Sequence, residues 1–329
     1  SISSTGKFEI KSSYVTGNIT GNNYVGGIIG NNEQLEVGTN NIELTYTTGN
    51  ITGNNYVGGL VGNSNGVLFN TFEINKTYTT GDIIGNNYVG GIVGKSKYLI
   101  VNDSFTTGKT TGDDNTAAFA GEVVSTQINN SYAVGEVTST NTIGGFVHSA
   151  VDSQSNNSYF SSDSTKLYRT AMGQNMRLYQ MIKRDPCYAN WNFTDIWEID
   201  SGNTLAYLKE LPIPDSVKAS NYNITSYKGN GVDEAYEIYT PEDLSNMRVE
   251  RTAYYKLMND IDMSNVVDFS PIGEENQVFE GTLDGQGYKI KNLTISDTGF
   301  YNGLFGVVSN ATIKNITLDN LVVNSTVED

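Results

Sequence analysis

The 329-residue chain contains one histidine, His148, and one cysteine, Cys187. Ser-His-Asp and Cys-His catalysis need a histidine set between a nucleophile and an orienting group, and an HExxH zinc site needs two histidines. His148 stands where the neighbouring repeats carry glycine, so a structural role is expected for it. A lone cysteine also excludes an internal disulfide framework and a multi-cysteine zinc site. Carboxylates are the remaining candidates. Asp260 and Asp262 in NDID fall on one face of a strand, and Asp284 sits in LDGQG. Such residues can hydrolyse glycosides or hold calcium, or they can simply bond backbone groups in turns. No second acidic pair or basic cleft recurs nearby. The expectation is therefore no catalysis and no cofactor, with calcium at Asp260, Asp262 and Asp284 as the weak metal candidate.

Asn-x-Ser/Thr sequons are abundant. Asn75, Asn102, Asn129 and Asn156 follow one another at intervals of 27 residues. Glycans on all four would collide if successive copies lie one strand spacing, roughly 4.8 Å, apart. An amide ladder, each asparagine bonded to the next, is the expected role for that row. Asn18, Asn50, Asn192, Asn223 and Asn324 stand as candidates for N-glycosylation.

The asparagines are positioned by a repeat. YVTGNITGNNYVGGIIG, from Tyr14, returns as YTTGNITGNNYVGGLVG from Tyr46 and YTTGDIIGNNYVGGIVG from Tyr78, with weaker copies from Phe105 and Tyr132. The leading aromatics Tyr14, Tyr46, Tyr78, Phe105, Tyr132 and Tyr159 are separated by 32, 32, 27, 27 and 27 residues. In the first five copies the distance from this aromatic to the small-residue pair beginning at Gly26, Gly58, Gly90, Ala117 or Gly144 never changes. A constant part and an elastic part, repeated, describe a solenoid with loops bulging from one side. Short β-prone runs between Gly/Asn turns predict three strands per coil and a parallel, right-handed β-helix. Val25, Val57, Val89, Thr116 and Ile143 should form one inward row, and Ile29, Val61, Val93, Ala120 and Val147 another. The aromatic row should pack as a column with its hydroxyls reaching the surface. The glycine pair should let the backbone turn, or approach a packed aromatic where a Cβ would clash. The Ala117–Ala118 coil is expected to be the least regular. The loops within residues 31–41 and 63–75 are the expected recognition surface.

The net charge of −16 argues against nucleic acid or an anionic membrane surface as partner. No run is apolar enough for membrane insertion in this chain.

YVGGIIG, YVGGLVG and YVGGIVG, with their preceding Y-x-T-G, resemble the GLUG motif. These repeats belong to surface proteins of bacteria and archaea, and to the non-catalytic region of immunoglobulin A1-specific metallopeptidases. The resemblance covers about Tyr14–Tyr159, with Asn115–Gly121 and His148 departing from it. It implies an extracellular, prokaryotic cell-surface location. It also implies that WNFTDIWEID (Trp191–Asp200) and the YL of Tyr207–Leu208 close the solenoid. From AYEIYTPEDLSNM onward the chain resembles the opening coils of the same family, with Thr240 as helix N-cap and Asp243 completing a capping box.

The expected organisation is a solenoid over 1–160, an aromatic and helical cap over 161–211, a linker over 212–231, and a second solenoid opening over 232–329. Lys166–Lys183 carries near-helical apolar spacing. IKNLTI and IKNITL, placing Asn292 and Asn315 a coil apart, mark the second solenoid's period. Open strand edges around Ile2, Phe8 and Ile10, and around Leu318, Leu321 and Val323, lead to the expectation of head-to-tail self-assembly. The functional expectation is a non-enzymatic structural or adhesive protein with itself as partner. Host or neighbouring-cell surface glycans or proteins are further candidate partners. A non-catalytic module of a larger secreted peptidase and a β-helical carbohydrate-active enzyme are the alternatives.

Overall fold

Each repeat folds into four short parallel strands, one more than the spacing predicted. The third coil shows them: Phe72–Thr79, Ile83–Ile84, Asn87–Gly90 and Val93–Lys97. The computed structural model describes residues 7–33, 40–67, 71–165, 167, 170–184, 188, 190–222, 231–232, 235–248, 250–266, 269–275, 277–296 and 301–324. Two compact units are present, Ser1–Ile224 and Thr225–Asp329.

In the first unit each of the four strands stacks in register on its counterpart, giving one eleven-stranded and three five-stranded sheets. The aromatic row pairs as expected, Tyr14 with Tyr46, Tyr46 with Tyr78, Tyr78 with Phe105, Phe105 with Tyr132 and Tyr132 with Tyr159. Both predicted aliphatic rows also pair coil to coil. Val57, Val61, Val89 and Val93 are fully buried. At roughly 1.5–3 kcal/mol for each such side chain, every coil stabilises the next. Leu60, Ile92, Phe119 and Phe146 add a third buried row, in which Phe119 and Phe146 stack at 4.5 Å.

The elastic part leaves the coil path intact. Asn65 pairs with Lys97 and Phe72 with Leu99, so the extra residues of the longer copy lie wholly between Asn65 and Phe72. Most of the first expected recognition loop and part of the second fall outside the described residues.

The glycine pair answers to backbone packing. A Cβ on Gly59 would stand 2.0 Å from the carbonyl oxygen of Gly91, and one on Gly91 2.1 Å from that of Ala118. Both are far inside van der Waals contact. Ala117 and Ala118 are accommodated without irregularity. Their coil keeps register with both neighbours, and the two alanines are fully buried.

Residues 161–222 do not simply close the end. Lys166–Lys183 is not one helix. It holds a strand, Gln174–Met176, that adds a rung beside Tyr159–Ser161, and a single helical turn, Leu178–Met181. Gly173, with positive φ, lets this segment sit against the Phe146 ring. The tryptophan segment then runs back along the flank of the solenoid. Trp191 lies 6.1 Å from Tyr159, and Trp197 lies 6.2 Å from Tyr132 and 6.1 Å from Phe105. Part of the expected linker belongs to this arm. Val217 is fully buried, its carbonyl accepts from Leu205 N, and Ser216 Oγ accepts from Thr107 Oγ1.

In the second unit the capping box forms as read. Thr240 Oγ1 accepts from Asp243 N, and Asp243 Oδ2 accepts from Thr240 N. Leu244 and Met247 are buried beneath the turn. Tyr236–Ile238, Tyr254–Leu257, Thr282–Asp284 and Thr312–Lys314 make one parallel sheet, and Ile261–Asp262, Lys289–Lys291 and Thr317–Asp319 another. The period read from Asn292 to Asn315 is corrected. Asn292 stacks under Asn320, which donates to it at 2.9 Å, whereas Asn315 donates to Asp284. The similarity of IKNLTI and IKNITL misled because their matching positions stand in different rows: Ile290 pairs with Leu318, and Ile313 with Leu283.

Candidate functional site

Among the described residues no three His, Cys, Asp or Glu side chains gather as a metal site would require. Asp260 bonds Lys291 at 2.6 Å, and its carboxyl is held below the usual value by that bond and by Lys289 N. Asp262 accepts from Asn292 and from Ser264 N, which likewise lower its pKa. Asp284 accepts from Gln286 N, Asn315 and Lys314, and is lowered by them. All three carboxylates serve coil-to-coil and turn contacts. His148 is half-buried, and burial lowers its pKa.

The asparagine row forms the expected ladder. Asn102 donates to Asn75 at 2.8 Å, Asn129 to Asn102 at 2.9 Å and Asn156 to Asn129 at 2.9 Å. A second ladder, not anticipated, joins Asn55 to Asn23 and Asn87 to Asn55 at 2.8 and 2.7 Å. Each uses the amide nitrogen as donor and the oxygen as acceptor, and so satisfies the row from within. Asn18 and Asn50 are arranged differently. Asn18 Oδ1 accepts from Asn50 N, and Asn50 Oδ1 accepts from Asp82 N. Asn192 folds onto its own turn, accepting from Thr194 N and Asp195 N. Asn324 is exposed. Asn223 and Ile2 lie outside the described residues. Phe8 and Ile10 pack partly buried against the first core, while Leu318, Leu321 and Val323 are exposed.

The leading aromatics form a stacked column, with centroids 5.3 Å apart for Tyr14 and Tyr46, 4.8 Å for Tyr46 and Tyr78, 5.1 Å for Tyr78 and Phe105 and 5.0 Å for Phe105 and Tyr132. The arm covers its later members. Tyr78 donates its hydroxyl proton to Pro212 O and Tyr132 to Ala206 O, so these two hydroxyls turn inward rather than reaching the surface. Burial pushes both phenols well above their ordinary pKa.

A second column escaped the sequence reading. Tyr24, Tyr56 and Tyr88 stack at 4.8 and 5.0 Å, with interplanar angles of 6° and 1°. Tyr24 is 45% exposed, Tyr56 and Tyr88 are part-exposed, and Lys95 Nζ lies 4.6 Å above the Tyr88 ring. All three tyrosines take left-handed backbone, φ 56°, 57° and 56°. Asn115, one coil further, has φ 48°. Asparagine tolerates that region, whereas for a bulky residue it costs on the order of 1–3 kcal/mol. The column is thus maintained against local strain. Because ring faces are taken by neighbouring rings, a side approach meets only ring edges and hydroxyls. Sugar recognition by aromatic stacking needs a free face, which the interior of neither column offers.

No protein-family model matches the chain. Halomucin of Haloquadratum walsbyi is 37% identical over 114 residues, 30% of this chain and 1% of halomucin. A protein described as a Gly-rich membrane protein, from Evansella cellulosilytica, is 36% identical over 100 residues, 27% of this chain and 12% of that one. The chain therefore spans only a small part of the length of these relatives. Among solved structures, that of a protein described as an immunoglobulin A1 protease from Bacteroides ovatus aligns over 62% of this chain and 69% of its own, with a TM-score of 0.49 and 16% identity.

Proposed function

We propose that this chain is a stiff, non-catalytic solenoid segment of the GLUG-repeat kind, carried on the outside of a prokaryotic cell as a structural or adhesive part of a surface protein. The observation that carries this reading is the distribution of its polar side chains. Catalysis needs groups converging on one substrate atom. Here the ladder asparagines of the first unit bond their counterparts in the coils above and below, and the tyrosines of each column stack on theirs. The described carboxylates at Asp260, Asp262 and Asp284 are likewise engaged by lysine, asparagine and backbone donors. Support for the location comes from the relative described as a membrane protein. No helix among the described residues is long and apolar enough to cross a membrane. The partners that fit are another copy of the chain, joined head to tail, and glycans or proteins of a host or neighbouring cell. Nucleic acid does not fit a net charge of −16.

The test is to incubate the purified chain with a panel of polysaccharides while imaging it by electron microscopy and probing it with a broad-specificity protease. The expected result is no turnover and a protease-resistant solenoid. Turnover that disappears when Asp260, Asp262 or Asp284 is changed to asparagine would replace this reading with the enzymatic one.

A further inference from the structure

We propose that Tyr24, Tyr56 and Tyr88 form an oxidative cross-linking site, in which neighbouring phenols join as dityrosine and fasten successive coils covalently. Three observations lead here. First, the rings are parallel within 6° and 1°, at centroid separations of 4.8 and 5.0 Å, so the phenols of adjacent residues are stacked face to face. Second, the column is reachable by a soluble oxidant, in contrast to Tyr78 and Tyr132, whose hydroxyls are bonded under the arm. Third, the left-handed backbone that projects these rings is maintained at tyrosine three times in succession, where Asn115 shows that a residue better suited to it can stand. A chain with one cysteine cannot staple its coils with disulfides. A bond across the tyrosine ladder would restrict the unfolded chain in the same way.

The chemistry balances with hydrogen peroxide as oxidant and a haem peroxidase as catalyst. Each of two phenols gives up one electron and one proton. The two tyrosyl radicals couple through their ortho carbons, forming one carbon–carbon bond. Each coupled ring then moves its ortho hydrogen to the phenol oxygen and becomes aromatic again. Net, two hydrogens leave the protein and one peroxide becomes two waters.

The full chain treated with peroxidase and peroxide at high dilution provides the test. The expected product is a monomer with dityrosine fluorescence, lighter by two hydrogens per link, in which the tryptic peptides Ser12–Lys76 and Thr77–Lys95 are joined. Tyr88→Phe should abolish the joined peptide, and Tyr78→Phe should leave it. Both variants keep the ring, and circular dichroism before oxidation checks that each is folded. Absence of dityrosine from the monomer would overturn the proposal. So would a joined peptide that survives Tyr88→Phe and is lost with Tyr78→Phe, because that link would belong to the other column.

Discussion

The indole Nε1–H of Trp197 donates to Oδ1 of Asp103 at 2.9 Å, in a buried bond between residues 94 positions apart. Asp103 has left-handed backbone, φ 49°, and occupies the place filled by Lys76 one coil earlier and Asn130 one coil later. The bond pins the arm to the middle of the solenoid. It also places a carboxylate where water is largely excluded.

Burial raises the Asp103 carboxyl above 3.8, against the opposing pull of its bonds to Trp197 and Asn130 and of the Lys76 charge. The native state therefore holds this proton more tightly than the unfolded chain. The associated stability is fully present below the unfolded value and is lost as pH rises through the higher folded value. Asp103→Asn keeps an acceptor for the indole and removes the buried charge. It should raise the unfolding midpoint at neutral pH, with the gain fading as the pH falls through the raised folded value toward about 3.8 and gone below it. Thermal melts of both proteins across that range check the sign.

Trp197→Ala should loosen the arm before the solenoid. The side chain is fully buried against Phe105, Tyr132 and Trp191. Its truncation should cost about 3–5 kcal/mol. Limited proteolysis should then cut within residues 191–222 first and leave a fragment containing Tyr14–Tyr159. Simultaneous loss of both parts would mean the arm is integral to the coils.

The coil path predicts an asymmetry between two changes of very different size. Removing five residues between Asn65 and Phe72 reproduces the short connection already used between Lys97 and Leu99, and should cost less than about 1 kcal/mol. Val57→Asp places a charge among Val25, Val89 and Ile51 and should cost several times more, on the order of 3 kcal/mol or above. Denaturant midpoints of the two variants, compared at equal slope, provide the check.

These relationships were unequally legible in the chain. The aromatic and asparagine rows could be read because each residue pairs with its own kind at constant spacing, and parallel stacking turns spacing directly into contact. The fourth strand could not. Ile51–Thr52 is too short to distinguish from the glycine turns around it. The Tyr24, Tyr56 and Tyr88 column lies within the most repeated words of the sequence, and the equal spacing of its tyrosines was the available signal. The three residues serve as parts of a motif until their rings are seen to stack. The path of the tryptophan arm depends on partners such as Asp103 and Ala206, which share no period with it. The exchange of Asn315 for Asn320 as the partner of Asn292 shows the converse hazard, where the matching positions of similar words fall in different strand rows.

The amide geometry sorts the glycosylation sequons. N-glycosylation consumes the Nδ2 of asparagine. In Asn102, Asn129 and Asn156 that nitrogen donates to the coil before, so a glycan there would break a ladder bond and sit one strand spacing from its neighbour. Asn18 and Asn50 bond the next coil through Oδ1, and no partner for their Nδ2 is seen among the described residues. Secretion through a host that attaches N-linked glycans after folding should therefore modify Asn18 or Asn50 while sparing Asn102 and Asn129. Glycopeptide mass spectrometry reads the occupancy at each site. Occupied Asn102 or Asn129 in a folded, protease-resistant chain would show that the ladder is not what holds that row. The steric term adds a finer expectation. Asn18 and Asn50 are themselves neighbours in consecutive coils, so occupancy of one should depress occupancy of the other, and Asn18→Gln should increase the glycan found on Asn50.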